Sequence, residues 1–192
     1  YMAQWASIFI MKYDYWAWKK TIPKEDIVEI NKVLDHSSFE GEDGYKGKNI
    51  KTSKVKHVYY KDIKHIVENI IHGALLANKD CFGYNLYPVL DNEVFLFNTY
   101  SAKNKSEFGF HFDDNFSRYH DVKLSLILNI SNKKYKGGEF EFYNPDPEDN
   151  DPNFTESGDI ILFKSHLYHR IKPVTQGERR SLTYFFTGPR FT

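Results

Sequence analysis

His111-Phe112-Asp113 sets an imidazole and a carboxylate two residues apart. On an extended segment, residues i and i+2 point to the same side, so both groups can reach one ion. A second imidazole is available downstream, in His166-Leu167-Tyr168-His169-Arg170-Ile171-Lys172-Pro173-Val174. Two imidazoles and one carboxylate on one face of an octahedral ion leave three positions open. That pattern suits ferrous iron binding O₂ and a chelating keto acid. By itself His-x-Asp is a weak signal, because a surface turn or a hydrogen-bonded pair explains it equally well.

Two histidines compete for the third position. If the chain after His169 is extended, His169, Ile171 and Pro173 share one face while Arg170 and Lys172 meet solvent. His166 sits in the polar turn Lys164-Ser165-His166, where a solvated role is more natural. The reading favours His169 and keeps His166 as the alternative. His36, His57, His65, His72 and His120 have blander roles as surface or packing groups. Zinc also accepts two histidines and a carboxylate, but a hydrolytic zinc site wants a general base. Glu107 and Glu139 could be nominated, with no His-Glu-x-x-His spacing to support either.

A cation stands further on, in Gly177-Glu178-Arg179-Arg180-Ser181. Along a strand, Arg179, Ser181 and Thr183 share one face, and Arg180, Leu182 and Tyr184 the other. A guanidinium fork beside a hydroxyl matches a carboxylate, which accepts two parallel charge-assisted bonds. A dicarboxylate that grips a metal with one end needs such an anchor at the other. Arg180 fits better at a solvated strand edge.

The elements that must position these groups fall into two regions. Thr21, with Pro23 following, reads as a helix start. Ile27, Ile30, Val33 and Leu34 then recur at helical spacing. A second helix runs over Lys61–Leu76, with Ile63, Ile66, Val67, Ile70 and Ile71 on one side. Between them His36–Lys54 is aperiodic, a loop that could close over a substrate. From Phe82 the period becomes two: strands are expected over Phe82–Tyr87, Val94–Tyr100, Val122–Ser131, Glu139–Tyr143, Ile160–Phe163 and Arg179–Phe186. Asn144–Asn153 reads as a second loop. The apolar Tyr1–Met11 reads as a first strand rather than a signal peptide.

The expected organisation is one domain over 1–192, with residues 1–80 as helical support and 81–192 as a sandwich or barrel of antiparallel strands. An aromatic content of 17%, with 16 Phe and 14 Tyr, agrees with a sheet-rich fold. Lys plus Arg and Asp plus Glu each total 26, which argues against nucleic acid held by phosphate neutralisation. Cys81 is the only cysteine, which fits an intracellular, reducing location. No apolar run approaches membrane-spanning length.

In this order the segments resemble the Fe(II)/2-oxoglutarate dioxygenase superfamily, and within it the prolyl 4-hydroxylase-like branch. The resemblance covers about Phe82 to Phe186. It rests on Tyr100, Phe108-Gly109-Phe110-His111-Phe112-Asp113, Leu124–Asn129, Tyr135-Lys136-Gly137-Gly138-Glu139-Phe140, Gly158–Phe163 and the run from His169 to Arg179. It implies a mainly β fold with flanking helices, the double-stranded β-helix or jelly roll. His111, Asp113 and His169 would then ligate Fe(II), and Arg179 with Ser181 would hold the far carboxylate of 2-oxoglutarate. Tyr100 would contact the same cosubstrate. Ile127 departs from relatives that carry a second cosubstrate-binding Tyr there, which shifts anchoring onto Arg179 and Ser181.

The implied reaction consumes O₂ and 2-oxoglutarate, releases succinate and CO₂, and hydroxylates an unactivated C–H bond. Ascorbate is a candidate reductant. A prolyl residue in a peptide or protein is the first choice of acceptor, with a free amino acid or other small molecule the alternative. Oxidative demethylation of nucleic acid fits the neutral charge poorly. A jelly-roll binding module without catalysis is the reading from a different class.

Overall fold

The computed structural model describes residues 13–36, 51–113, 119–143 and 152–191. The expected strand over Tyr1–Met11 lies outside them, as do 37–50 and 144–151 of the two expected loops. The chain runs β1 (Tyr15–Trp18), α1 (Lys24–His36), β2 (Lys54–Tyr59), α2 (Tyr60–Ala77), β3 (Val94–Ser101), β4 (Phe108–His111) and β5 (Asp121–Asn129). It continues through β6 (Lys136–Gly137), β7 (Phe140–Phe142), β8 (Ile160–Lys164), β9 (His169–Ile171), β10 (Val174–Gln176) and β11 (Glu178–Gly188).

Six strands form an antiparallel sheet in the order β1-β8-β5-β11-β3-β2, and a smaller sheet has the order β4-β9-β7. Because side chains alternate across a strand, the large sheet has two distinct buried faces. On one, Phe95, Phe97, Leu124, Leu126, Leu128, Leu182 and Tyr184 pack against Ile27, Ile30 and Leu34 of α1 and Ile63, Val67 and Ile71 of α2. On the other, Tyr100, Ile127, Ile161 and Phe163 meet Phe140, Phe142 and Ile171 of the small sheet. Two sheets face to face with helices outside one of them are the jelly roll expected from the sequence. The site lies between the sheets.

Three local differences have physical causes. Phe82–Tyr87 is not a strand: α2 continues into a π-helical turn over Asn78–Phe82, ended by Gly83 at φ 72°. The Asn78 side chain then donates to the Tyr84 carbonyl at 2.9 Å and accepts from the Tyr84 amide at 3.0 Å, holding an irregular backbone that the aromatic alternation disguised. α1 starts at Lys24, so the Thr21 hydroxyl sits 3.5 Å from the Lys19 carbonyl instead of capping a helix amide. β1 and β2 were not anticipated; they pair with β8 and β3 at the two edges of the large sheet. Among the described residues, no helix is long and apolar enough to cross a membrane.

Candidate metal and cosubstrate site

β4 pairs with β9 so that His111 stands opposite His169. The expected side-sharing follows: His111 Nε2 lies 3.3 Å from Asp113 Oδ1, and His169 Nε2 lies 3.5 Å from Asp113 Oδ2. The three potential ligand atoms are all within 4.8 Å of one another, and they form the only such group of acidic, His or Cys ligands among the described residues. His166 is exposed on the turn after β8, away from this cluster.

Both imidazoles are oriented by backbone. His111 Nδ1 is 2.8 Å from the Gly109 carbonyl and His169 Nδ1 is 2.8 Å from the Leu167 carbonyl. A carbonyl can only accept, so each Nδ1 carries a hydrogen, and each Nε2 is the ring atom turned toward Asp113. Burial lowers the His169 pKa, and nearby Asp113 opposes this only in part. Asp113 is itself buried, which raises its pKa, yet His169 and His111 outweigh that and hold the carboxyl below its ordinary value. Among the described residues its Oδ2 has no hydrogen-bond partner. Two ring nitrogens and an ionised oxygen that converge within 4.8 Å of one another can be shared by one metal ion. The donor set fits a ferrous ion.

These groups open onto a cavity of about 40 Å³ whose walls include Tyr100, Ile127, Arg179 and Ser181. Arg179 is fully buried. Its Nη1 donates to Ser181 Oγ at 3.2 Å, while its Nε and Nη2 have no partner among the described residues. An unpaired guanidinium in a dry interior is strongly unfavourable, and a carboxylate entering the cavity would supply both missing acceptors. The cradle fits a 2-oxoglutarate terminus. Gly138, at φ 70°, makes room for the arginine: a Cβ there would lie 2.9 Å from Arg179 Cδ. This close approach is the use of the second glycine in the Gly-Gly pair.

Tyr100 pairs with Arg179 across the β3–β11 ladder, and its ring lies 5.5 Å from the guanidinium carbon. Burial pushes its phenol up to about 12, with Arg179 and Ser53 acting against that rise, so it is a neutral donor. Arg180, on the opposite face, donates to Asn31 Oδ1 at 2.8 Å and Asp35 Oδ1 at 3.0 Å on α1, and is therefore structural.

Four further wall residues were not singled out from sequence: Lys51, Leu96, Asn98 and Phe185. Leu96, Asn98 and Phe185 could have been found, since alternation puts them on the same strand faces as Tyr100 and Ser181. Lys51 carried no periodic signal. Burial lowers its ammonium to about 8 despite the pull of Asp113.

A family model for the 2OG-Fe(II) oxygenase superfamily matches residues 95–187, which include every site residue expected from the sequence. A PKHD-type hydroxylase of Prochlorococcus marinus (strain AS9601) is 28% identical over 160 residues, covering 81% of this chain and 70% of that protein. A prolyl-4-hydroxylase of Pseudomonas putida shares the fold with a TM-score of 0.68 at 16% identity, over 94% of this chain and 95% of that one. The viral collagen prolyl hydroxylase of Paramecium Bursaria Chlorella virus-1, in its 2OG complex, aligns with a TM-score of 0.63 at 16% identity, over 92% and 97%. The stretch that matches the 2OG-Fe(II) oxygenase superfamily, residues 95–187, runs through the strands that enclose the cavity.

Proposed function

We propose that this Fe(II)/2-oxoglutarate-dependent oxygenase hydroxylates a prolyl residue of a peptide or protein, with His111, Asp113 and His169 as its iron ligands. The observation that carries the cosubstrate assignment is Arg179: a fully buried cation with two unpaired donors, in the same cavity as the ligand cluster. The prolyl assignment draws support from relatives named prolyl hydroxylases.

Ferrous iron in this site supplies O₂ activation coupled to decarboxylation of the keto acid. The protein's residues bind and orient. The Nδ1–H bonds to Gly109 and Leu167 fix the ring planes of the two histidines, and Asp113 brings the one negative charge. Arg179 and Ser181 hold the distal carboxylate, and Tyr100 donates to the same cosubstrate. Ile127 and Ile171 present hydrocarbon walls that exclude water. No acid or base is required to remove the substrate hydrogen, so positioning is the main task of the protein.

We place residues 1–192 in one oxygenase domain, with 1–80 supporting the core at 81–192, and we place the protein inside the cell on the strength of its unpaired, buried Cys81. The test is incubation of the Fe(II)-loaded protein with 2-oxoglutarate, ascorbate and proline-containing peptides in air. A mass gain of one oxygen atom on proline, matched by succinate, is expected. Turnover of free amino acids with inert peptides would move the substrate to the small-molecule class. Oxidation of methylated nucleic acid alone would overturn both.

A further inference from the structure

Lys51 begins the described chain after 37–50 and is followed by Thr52 and Ser53. This short segment is tied down on both sides of Thr52. The Thr52 amide donates to the Glu107 carbonyl at 3.0 Å, and the Glu107 amide donates to Thr52 Oγ1 at 2.9 Å. Ser106 Oγ donates to the Thr52 carbonyl at 3.2 Å, and Lys51 bridges Phe108. Because residues alternate along extended backbone, Thr52 faces out and its two neighbours face in. Ser53 is buried beside the Tyr100 hydroxyl, and Lys51 lines the cavity.

The two cations of the cavity have different surroundings. Arg179 lies among Tyr100, Phe154 and Ser181. The Lys51 ammonium lies 4.8 Å from the centre of the Phe108 ring, whose other contacts include a stacked His111 ring at 3.4 Å. Lys51 is therefore on the side of the metal ligands. Among the described residues it forms no ion pair, and the only carboxylate whose field reaches it is Asp113, which is already shared by two histidines. A ring face attracts an ammonium but does not replace a counterion in a water-poor cavity.

On the iron and 2-oxoglutarate reading above, we infer that Lys51 is a second carboxylate-binding cation, gripping an anion at the metal side while Arg179 grips one at the other. The shared chemistry is a carboxylate. It could belong to the keto acid's metal-proximal end, or to an acidic group beside the target residue of the acceptor.

The test uses Lys51→Met, Lys51→Arg and Arg179→Ala in the whole chain loaded with Mn(II), a redox-quiet stand-in, titrated calorimetrically with 2-oxoglutarate. Thermal melting confirms that Lys51→Met is folded. In parallel, KM and kcat of the iron enzyme are compared for proline peptides carrying Glu or Gln next to the target. A keto-acid role predicts about tenfold weaker 2-oxoglutarate binding by Lys51→Met, largely restored by Arg. An acceptor role predicts unchanged 2-oxoglutarate binding and a raised KM for the Glu peptide alone. If Lys51→Met matches the parent in both assays while Arg179→Ala loses the keto acid, Lys51 is not a carboxylate site and the functional reading stands. A parent that binds no 2-oxoglutarate overturns that reading and this assignment together.

Discussion

The two faces of strands β3, β5 and β11 come from the same residues in alternation, yet they are built to opposite rules. Facing the helices, Leu126, Leu128 and Leu182 are fully buried among other hydrocarbon groups, each contributing about 1.5–3 kcal/mol of transfer free energy. Facing the small sheet, Asn98, Arg179, Ser181 and Thr183 are as deeply buried but polar. Several of their atoms have no partner among the described residues: Asn98 Oδ1 and Arg179 Nε and Nη2, together with Asp113 Oδ2 across the cavity. One face is complete within the chain. The other is complete only with a cation and a carboxylate, so its lost stability is converted into binding on ligand entry. A site can thus share strands with the core while answering to different chemistry.

The sharpest way to break this contrast is at the ligand cluster. His111→Ala and His169→Ala each remove an imidazole whose orientation is fixed by backbone, and turnover should fall below detection, with iron content of the purified protein falling in step. His166→Ala, on the exposed turn, should retain both. Activity lost in His166→Ala and kept in His169→Ala would reverse the assignment. Next in size is Arg179→Ala. Removing one partner of a buried charge pair typically costs about 3–5 kcal/mol, so 2-oxoglutarate binding should weaken by about a hundredfold or more while iron affinity is nearly unchanged. The same variant should melt no lower without ligand, because the unliganded parent holds that charge unpaired. Equal 2-oxoglutarate affinity in calorimetry would remove Arg179 from the pocket.

The contrast also explains what could be read from the sequence. The period-two runs around Leu124–Leu128 and Arg179–Tyr184 specify two faces, and the polar members of the inner face could be named from alternation alone. The spacing of His111 and Asp113 needed only local extension. What alternation could not convey is that both faces are buried: Ser125 and Asn129, which alternate with the leucines of β5, are as fully buried as they are. The choice of His169 over His166 became physical only through the β4–β9 register, a non-local pairing. Lys51 and Ser53 were hidden because they reach the cavity through contacts to Ser106, Glu107 and Phe108, more than 50 positions along the chain, in a stretch with no repeat of its own. Phe82–Tyr87 misled for the converse reason, as its aromatic alternation follows an irregular backbone held by the Asn78 side chain and by a hydrogen bond from the Tyr87 amide to the Thr187 carbonyl.

A mutation on the helix side should show the complementary pattern. Leu128→Ala empties a fully enclosed position and should lower unfolding free energy by about 2–5 kcal/mol in denaturant melts. Its folded fraction should bind 2-oxoglutarate with parental affinity, since Leu128 points away from the cavity that its neighbour Ile127 lines. A large change in keto-acid affinity would mean that the faces are mechanically coupled through β5.

The smallest effect is expected at Ser181, where the two logics meet. Its hydroxyl accepts from Arg179 Nη1 at 3.2 Å and can donate its own hydrogen to a bound carboxylate. Ser181→Ala should weaken 2-oxoglutarate binding by about fivefold, the equivalent of about 1 kcal/mol for one neutral hydrogen bond. The informative measurement is the double-mutant cycle with Arg179→Ala. If the serine acts only by orienting the guanidinium, its removal changes nothing once the arginine is gone. If it contacts the carboxylate directly, the two losses add. The geometry favours coupling, because Ser181 is the only described acceptor for a guanidinium that otherwise faces the cavity unpaired.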